Sequence, residues 1–470
     1  MATASDGRTQ QTGGAGIGRT VLVTGTAALG GFLFGYDTAV INGAVKAVGE
    51  FFHAGAFMLG LAVAIALIGA AIGAWYAGGL ADRFGRIPVM LIAAGMFLIS
   101  AIGSGFAFSI YDLAIWRLIG GMGVGAASVI APAYIAEISP ARLRGRLGSL
   151  QQMAIVTGIF ASLLVDYALV LGSGSASDPL WFGVETWRWM FFSLAIPALL
   201  YGGMALTIPE SPRYLVGKGD LVKAAHVLRQ YVGGDVDAKI TEIRHSLEGK
   251  QEHAGFSVLR KAGGGLLPIV WVGILLSVFQ QFTGINVIFY YSSVLWQAVG
   301  FTEQDALLTT VITSVTNILT TIIAIALVDR IGRKPLLLIG AAGQGVCLLI
   351  MAIIFGIAPV VNGVPQLGGT GIVAVLAANL YVVFFGCSWG PVVWVMLGEM
   401  FNNKIRAMAL AVAASAQWVA NFVVSTTFPP LSNVGLGLAY GIYTLFAFLA
   451  VIFVVRYVQE TKGKELEDMV

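Results

Sequence analysis

The stretch Phe32–Val45 reads FLFGYDTAVINGAV and places an aspartate, Asp37, near the end of the first long apolar run of the chain. Burying a carboxylate at the centre of a membrane helix costs roughly 2.5–3.5 kcal/mol. Such residues face the interior of a helix bundle, pair with a partner and usually serve the function of the protein. The stretch therefore predicts a membrane-spanning helix with a functional carboxylate inside it.

The composition is that of a polytopic membrane protein. Of the 470 residues, 57% are hydrophobic and 11% are charged, against about 45–50% and about 25% in soluble domains. The formal net charge is only +3, and no basic stripe with interleaved aromatics occurs, which argues against a nucleic-acid partner. Cys347 and Cys387 lie far apart in apolar runs, so no disulfide framework is expected.

Twelve apolar segments are long enough to cross a bilayer, for which a helix needs about 20 residues. We predict an all-α membrane protein with spans at 20–44, 57–80, 87–108, 112–138, 146–171, 187–207, 266–297, 305–328, 335–357, 372–399, 407–429 and 434–456. Of the 27 lysines and arginines, 24 lie in the tails or in the loops after segments 2, 4, 6, 8 and 10. The positive-inside rule then places both termini and these loops in the cytoplasm.

Polar regions divide the chain. The predicted division is a disordered cytoplasmic tail at 1–18, a six-helix half at 19–207, a cytoplasmic helical linker at 208–261, a second six-helix half at 262–457 and a tail at 458–470. Within the linker, Ser211, Asp220 and Asp235 each stand where an N-cap would start a short helix.

An internal repeat relates the two halves. Asp-Arg-x-Gly-Arg occurs at Asp82–Arg86 and 247 residues later at Asp329–Arg333, while Glu-x6-Arg occurs at Glu137–Arg144 and 262 residues later at Glu399–Arg406. Two motifs in the same order at nearly the same offset indicate a major-facilitator transporter, with its substrate site near the midplane between the halves.

The charges of these motifs predict an ion-pair network on the cytoplasmic side. It would hold the halves together and break when the site opens inward; a role in topology alone is the alternative. The predicted members are Asp82, Arg83, Arg86, Glu137, Arg144, Glu210, Arg213, Asp329, Arg330, Arg333, Glu399 and Arg406.

The motifs resemble those of the sugar porters of the major facilitator superfamily, over about residues 20–465. The resemblance rests on FGYDTAVINGAV, on Arg117–Gln152, on PESPRYL at Pro209–Leu215, on QQFTGINVIFYYS at Gln280–Ser292, on WGPVVWVMLGEMF at Trp389–Phe401 and on QWVANF at Gln417–Phe422. The C-terminal QETKGK departs from the family's Pro-Glu-Thr-Lys-Gly at its first position. By its pattern the chain is most similar to the bacterial proton-coupled pentose and hexose symporters.

Uncharged amides in otherwise apolar segments predict a polyol site, because a sugar hydroxyl donates and accepts and an amide offers both functions. Inter-helix hydrogen bonding is the alternative. Gly284 between Gln281 and Asn286 predicts a break in segment 7 that turns both amides to one cavity, and Gly390-Pro391 predicts a similar break in segment 10. The resemblance implies a sugar site formed by Phe34, Gln152, Ile155, Gln280, Gln281, Asn286, Asn317, Gly390, Trp394, Gln417 and Trp418, with Tyr290 and Tyr291 as an extracellular gate.

Arg117 on segment 4 is the predicted partner of Asp37. Burial disfavours the charged carboxylate and a nearby arginine favours it, so moving the arginine between conformations would bind or release one proton. The resemblance agrees, because proton-coupled members carry Asp and Arg at these positions; a static ion pair is the alternative. Asp166, near the outer end of segment 5, is expected to be hydrated.

These observations predict a secondary active transporter that imports a monosaccharide with a proton by alternating access. We expect a monomer in the plasma (inner) membrane that is not an enzyme and uses no metal or cofactor. Glucose is favoured, because Ile159 places an apolar side chain at a position that faces the sugar site in related transporters. The alternatives are a passive sugar facilitator and a sugar sensor that does not transport; the short tails argue against the sensor.

Overall fold

The computed structural model describes residues 14–140, 144–248, 259–260, 264–361, 364–401 and 405–462. Within these ranges the chain is helical apart from loops and a small antiparallel pair of strands, β1 (Val360–Val361) and β2 (Val364–Pro365). Ten helical spans of the described chain are long and apolar enough to cross a membrane. Apolar side chains such as Trp75, Leu319 and Ile353 are exposed on the outside of the bundle, as a lipid-facing surface requires.

Two interrupted spans of the first half complete the predicted twelve. The half contains α1 (Gly14–Ala39), α2 (Ile41–Phe51), α3 (Ala56–Phe84), α4 (Arg86–Gly105), α5 (Ile110–Ile138), α6 (Arg144–Ser173), α7 (Thr186–Ser193) and α8 (Ala195–Ala205). Segment 1 forms α1 and α2, which meet at Val40, and segment 6 forms α7 and α8, which meet at Leu194. Pro197 explains the second interruption, because it has no N–H for the carbonyl of Ser193.

The first helix begins earlier in the chain than the first predicted span. Helix α1 already begins at Gly14, so residues 14–18 belong to a helix. A formed helix extends by further residues far more easily than it nucleates, which explains why the helix continues beyond the apolar segment.

The linker contains α9 (Pro212–Gly217), α10 (Leu221–Val227), a π-helical turn (Leu228–Val232) and α11 (Val236–Glu248). All three predicted N-caps are confirmed. Ser211 accepts from the backbone N–H of Arg213 and Tyr214, Asp220 from that of Lys223, and Asp235 from those of Asp237 and Ala238. We call the end of the bundle that carries this linker the linker end, and the opposite end the far end.

The second half contains α12 (Pro268–Phe282), α13 (Ile285–Ala298), α14 (Glu303–Ile331), α15 (Arg333–Ile357), α16 (Thr370–Gly386), α17 (Trp389–Glu399), α18 (Arg406–Val434) and α19 (Leu436–Tyr457). The predicted break in segment 7 is confirmed, with Gly284 in the left-handed region at φ 83°. The break in segment 10 lies at Ser388, with φ −137° and ψ −86°, and not at Gly390-Pro391. Pro391 sits in the first turn of α17, where proline is tolerated because the N–H groups have no acceptor within the helix.

Small residues allow backbones of the first half to meet. A Cβ on Gly121 of α5 would lie 2.0 Å from the carbonyl oxygen of Ala66 on α3, and a Cβ on Gly125 would lie 2.0 Å from that of Ala70. Only glycine fits these crossings, which is a common basis of close helix packing in membranes. The close approach fixes α5, and with it Arg117, relative to the rest of the half.

Candidate functional site

The ion pair predicted in the first half is present. Arg117 on α5 donates through Nη1 to Asp37 on α1, at 3.1 Å to Oδ1 and 3.0 Å to the backbone carbonyl oxygen. The side chain of Asp37 is 0% exposed and that of Arg117 2%. In the described part of the chain, Oδ2 of Asp37 and Nε of Arg117 have no hydrogen-bond partner. The pair is therefore buried and bound through one carboxylate oxygen, which leaves the other oxygen able to take a proton.

Packing around the pair places it beside the second half. A Cβ on Gly120, one turn after Arg117, would lie 2.4 Å from Oγ of Ser100 and 3.1 Å from Oδ1 of Asp37. Glycine at this position thus lets α1 and α4 approach α5. Tyr290 of α13 lies close enough to interact electrostatically with both Asp37 and Arg117. The charged site of one half is therefore in reach of the polar helix of the other.

A chain of three amides crosses the break in segment 7. Asn286 on α13 donates through Nδ2 to Oε1 of Gln281 on α12, and Nε2 of Gln281 donates to Oε1 of Gln280 at 3.2 Å. Gln280 in turn donates to the carbonyl oxygen of Trp389 at 2.8 Å. The left-handed turn at Gly284 brings the first two amides together, as predicted. The chain provides donors and acceptors at one place, beside the start of α17.

The other residues of the predicted sugar site lie outside this chain of amides. Phe34 of the first half packs on Trp418 of the second, with ring centroids 5.9 Å apart, so these two residues meet across the halves. Asn317 on α14 is buried, while Trp394 on α17 is 43% exposed. Partly buried positions are held by Gln152, Ile155, Gly390 and Gln417.

The two predicted gate tyrosines are buried between α13 and α18. Tyr291 donates through its hydroxyl to the carbonyl oxygen of Ser425 at 2.8 Å, and its ring packs on Phe428 at a centroid distance of 5.2 Å. Tyr290 of α13 interacts with Asn421, which lies on α18 like Ser425. Both rings therefore close the space between these helices.

Asn42 on α2 joins the halves near the far end. Its Nδ2 donates to the carbonyl oxygen of Phe289 at 3.0 Å and to Oγ of Ser292 at 2.9 Å. The backbone N–H of Ser293 donates to Oδ1 of Asn42 at 3.1 Å, and Oγ of Ser293 donates to the backbone carbonyl oxygen of Asn42. Sequence reasoning missed this residue, although an amide within an apolar run, five positions after Asp37, was the available signal.

Two further contacts close the far end. Lys46 on α2 donates to Oε1 of Gln297 on α13 at 2.8 Å. Glu303, at the start of α14, accepts from Oγ of Ser175 at 2.8 Å and from the backbone N–H of Ala176 at 3.0 Å. Together with Asn42, these hydrogen bonds hold the halves together at the far end.

At the linker end of the first half, two glutamates bind the start of α4. Glu137 accepts from Nη2 of Arg86 at 2.9 Å and from the hydroxyl of Ser211. Glu210 accepts from the backbone N–H groups of Arg86 and Ile87 at 2.9 and 3.1 Å. Asp82 adds a contact of 3.4 Å to Arg86. The carboxylates thereby tie α4, α5 and the linker into one unit.

The second half repeats this arrangement at the start of α15. Glu399 accepts from Nη2 and Nε of Arg333 at 2.7 and 3.0 Å and from the hydroxyl of Thr461 at 2.6 Å. Glu460 accepts from the backbone N–H groups of Arg333 and Lys334 at 3.0 and 2.9 Å. Burial raises the pKa of Glu460, but four backbone N–H donors outweigh it and leave the pKa below its usual value. Glu460 was missed at the sequence level.

The predicted ion-pair network therefore differs in its connections. Each glutamate of the Glu-x6-Arg motifs pairs with the last arginine of the Asp-Arg-x-Gly-Arg motif in the same half, so these pairs do not join the halves. The reason is that the start of α4 meets the end of α5, and α15 meets α17 likewise. Arg83 stacks on Phe84 at 5.1 Å, Arg330 is exposed and Arg213 lies in the first turn of α9. The side chains of Arg144, Asp329 and Arg406 lie outside the described residues.

One expectation for the first half is wrong. Asp166 on α6 was expected to be hydrated, but its side chain is 0% exposed. Helix α2 covers it, because Gly43 has no side chain and its backbone N–H reaches Oδ2 at 3.3 Å. The sequence could not show this, since it depends on how closely α2 lies against α6.

Two six-helix halves that meet around a buried ion pair and an amide chain define a membrane transporter of the major facilitator superfamily, and not an enzyme. Residues 23–470 match the family described as sugar (and other) transporter. The chain belongs to this family, as its motifs implied.

Individual relatives agree over nearly the whole chain. A glucose transport protein of Synechocystis sp. is 60% identical over 454 residues, which cover 96% of each chain. A D-xylose-proton symporter of Escherichia coli is 40% identical over 485 residues, which cover 95% of this chain and 94% of the symporter. The inward-open structure of the xylose transporter XylE from E. coli superposes with a TM-score of 0.80 at 40% identity, covering 95% of this chain and 98% of the other.

Proposed function

We propose that the protein imports a monosaccharide, D-glucose in the first place, together with a proton. The observation that carries the proposal is the buried Asp37–Arg117 pair, bound through a single carboxylate oxygen, in a molecule that also holds a chain of sugar-compatible amides. The similarity to a glucose transport protein supports the sugar, and the similarity to a D-xylose-proton symporter supports the coupling.

The proton step uses the two states of the ion pair. With Arg117 in place, the carboxylate of Asp37 is stabilised as an anion; when Arg117 moves away, the buried carboxylate takes a proton, because burial then favours the neutral form. The return of Arg117 expels that proton. Coupling requires that each exchange occur while Asp37 can reach one side of the membrane only.

The sugar step uses the amides of α12 and α13. Gln280, Gln281 and Asn286 now satisfy one another, and sugar hydroxyls would replace some of these bonds with bonds of the same kind. Aromatic faces at Phe34 and Trp418, which meet across the halves, would cover the apolar side of the ring. Sugar binding thereby draws the halves together.

Alternating access follows from the far-end contacts. In this structure Asn42, Lys46 and Glu303 join the halves at the far end, and the superposition on an inward-open relative supports access from the linker end. Opening of the far end requires these bonds to break while the linker end closes. We place the linker end and both termini in the cytoplasm, in agreement with the distribution of lysine and arginine.

The proton gradient supplies enough energy for uphill uptake. One charge that crosses about 100 mV provides ~2.3 kcal/mol, which equals ~1.7 decades of sugar gradient at 1.36 kcal/mol per decade. We take a single chain in the plasma membrane as the functional unit, because both halves of the site lie within it.

Transport by the purified protein in proteoliposomes tests the proposal. We expect counterflow of labelled glucose without a pH gradient, and accumulation when the outside is made acidic. Counterflow without accumulation would support the passive facilitator instead, and binding without counterflow would support the sensor. Xylose and galactose in the same assay determine which sugar is preferred.

A further inference from the structure

Asp166 is a buried carboxyl group that the proposed proton step does not use. Within the described chain its Oδ1 has no hydrogen-bond partner, and no described salt bridge includes it. Its Oδ2 accepts one long bond of 3.3 Å from Gly43. An ionised carboxylate buried without a partner is costly, and such a group takes up a proton instead.

Other charged groups on the packed helices have different partners. Tyr36 of α1 is close enough to Asp166 for an electrostatic interaction, but its hydroxyl forms a hydrogen bond with Ser193. The remaining pairs are Asp37 with Arg117, Lys46 of α2 with Gln297, Arg188 of α7 with Glu185, and Glu303 of α14 with Ser175. Glu50 on α2 and Asp305 on α14 are exposed acidic residues and cannot supply a positive charge to a carboxylate. A proton is therefore the counter-charge that the surroundings of Asp166 favour.

A single peptide unit connects Asp166 to the far-end contact. The N–H of Gly43 donates to Asp166 in the first half, and the carbonyl of Asn42, in the same peptide unit, accepts from Ser293 in the second half. A Cβ on Gly43 would lie 2.7 Å from Oδ2 of Asp166, so the contact leaves no room for another residue. A change at Asp166 thus acts directly on the peptide that joins the halves.

We propose that Asp166 holds a proton while the far end is closed and releases it when the far end opens, as a second pH-sensing group separate from Asp37. Opening lifts α2 with its hydrogen bonds and admits water, which stabilises the ionised form; the anion then opposes closure, because it would have to be buried without a partner. The closed state binds one more proton than the open state, so raising the pH favours opening. One such group changes the ratio of open to closed molecules by at most about tenfold per pH unit. The proposal depends on alternating access at the far end, but not on the sugar or on coupling at Asp37.

Distances between two spin labels at the far end test this directly. Both cysteines are first replaced by serine, and labels are placed at exposed Ser177 of the first half and exposed Asn433 of the second. The measurement compares Asp37→Asn with Asp37→Asn/Asp166→Asn in detergent from pH 5 to pH 9. Asparagine keeps an acceptor for Gly43 and is neutral at every pH. Asp178→Asn, which alters an exposed carboxylate, is the matched control.

We expect the fraction of open far ends to rise with pH in Asp37→Asn and in the control pair Asp37→Asn/Asp178→Asn, and to stay constant in Asp37→Asn/Asp166→Asn. A constant fraction in Asp37→Asn, or an unchanged pH response in the variant lacking both acids, would overturn the proposal. Should that variant fail to fold, infrared spectroscopy of Asp37→Asn serves instead: a protonated carboxyl band must be present at neutral pH with the far end closed, and its absence refutes the proposal. Failure of sugar transport would refute the proposed function while leaving these distances informative.

Discussion

The two halves of the molecule are nearly alike at the linker end and different at the centre. At the linker end, Glu137 with Arg86 and Ser211 corresponds to Glu399 with Arg333 and Thr461. Gly85 and Gly332, with φ of 104° and 101°, make room for Glu210 and Glu460 respectively. At the centre, the first half holds a buried ion pair and the second a chain of amides.

This difference indicates how a duplicated unit divides its work. The arrangement at the linker end is the same in both halves, as expected if each half moves there in the same way. The centres differ, as expected if one binds a proton, which requires an ionisable group, and the other a sugar, which requires neutral donors and acceptors. Substitutions at the centre should therefore separate proton coupling from sugar binding. Matching substitutions at the linker ends of the two halves should instead act on the same property, the conformational balance.

Asp37→Asn should have the largest effect, which is the complete loss of uphill uptake. The neutral amide mimics the protonated acid, so the loaded carrier still reorients, but no proton is released and the gradient cannot drive a cycle. We expect normal counterflow, no accumulation and no sugar-induced alkalinisation outside proteoliposomes. Asp178→Asn, at an exposed aspartate, should behave as the parent protein.

Arg117→Ala should impair the same coupling by another route. It leaves the buried carboxylate without its cation, so proton release becomes the difficult step instead of proton binding. Continued proton-linked accumulation in Asp37→Asn would show that Asp37 is a structural anion and that the centre of the first half is not the proton site.

Gln281→Ala should weaken sugar binding without uncoupling the remaining transport. Each buried hydroxyl or amide that loses its partner costs about 1–3 kcal/mol, which is about 5- to 150-fold in affinity. Because Gln281 bonds both Gln280 and Asn286, its loss should exceed that of Asn286 at the end of the amide chain. Titration calorimetry with glucose measures the effect, and Gln366→Ala, at an exposed far-end position, is the control. Unchanged affinity would remove the amide chain from the sugar site.

The sequence predicted those features that depend on local chemistry. The twelve spans, the linker N-caps and the break at Gly284 follow from hydropathy, capping and glycine, and Asp37 with Arg117 follows from the cost of burying a lone charge. It did not predict the burial of Asp166, the role of Asn42 or the pairing of Glu137 with Arg86. These depend on which helices touch, and in the last case the two residues that touch are 51 positions apart in the sequence.

Glu137→Gln combined with Glu399→Gln should shift the conformational balance toward the linker-end-open state, without abolishing sugar binding. The change weakens the attachment of α9 and of the C-terminal segment, which we expect the closed linker end to require. The two pairs are largely buried, with side-chain exposures of 9% and 14% for Arg86 and Glu137 and of 10% and 32% for Arg333 and Glu399, so the shift should exceed the roughly 1 kcal/mol or less that is usual for a surface ion pair. Thiol accessibility from the two sides measures the balance. Equal accessibility in variant and parent would support a role of these charges in topology alone.

Ser211→Ala and Thr461→Val should have the smallest effects, with the larger of the two at Ser211, because Ser211 also caps α9. Each substitution removes one hydroxyl donor to a glutamate, from Glu137 in the first half and from Glu399 in the second. The loss is about 0.5–1.5 kcal/mol per hydrogen bond, and both hydroxyls are buried, with Ser211 0% and Thr461 4% exposed. Ser211→Ala adds the loss of an N-cap, about 0.5–2 kcal/mol. Thermal unfolding of the purified variants in detergent should show two decreases, the larger for Ser211→Ala, that add in the double variant, since each bond lies within its own half. A large decrease for one variant and none for the other would mean that only one half depends on its carboxylate network for stability. The two linker ends would then share a geometry but not its contribution to stability.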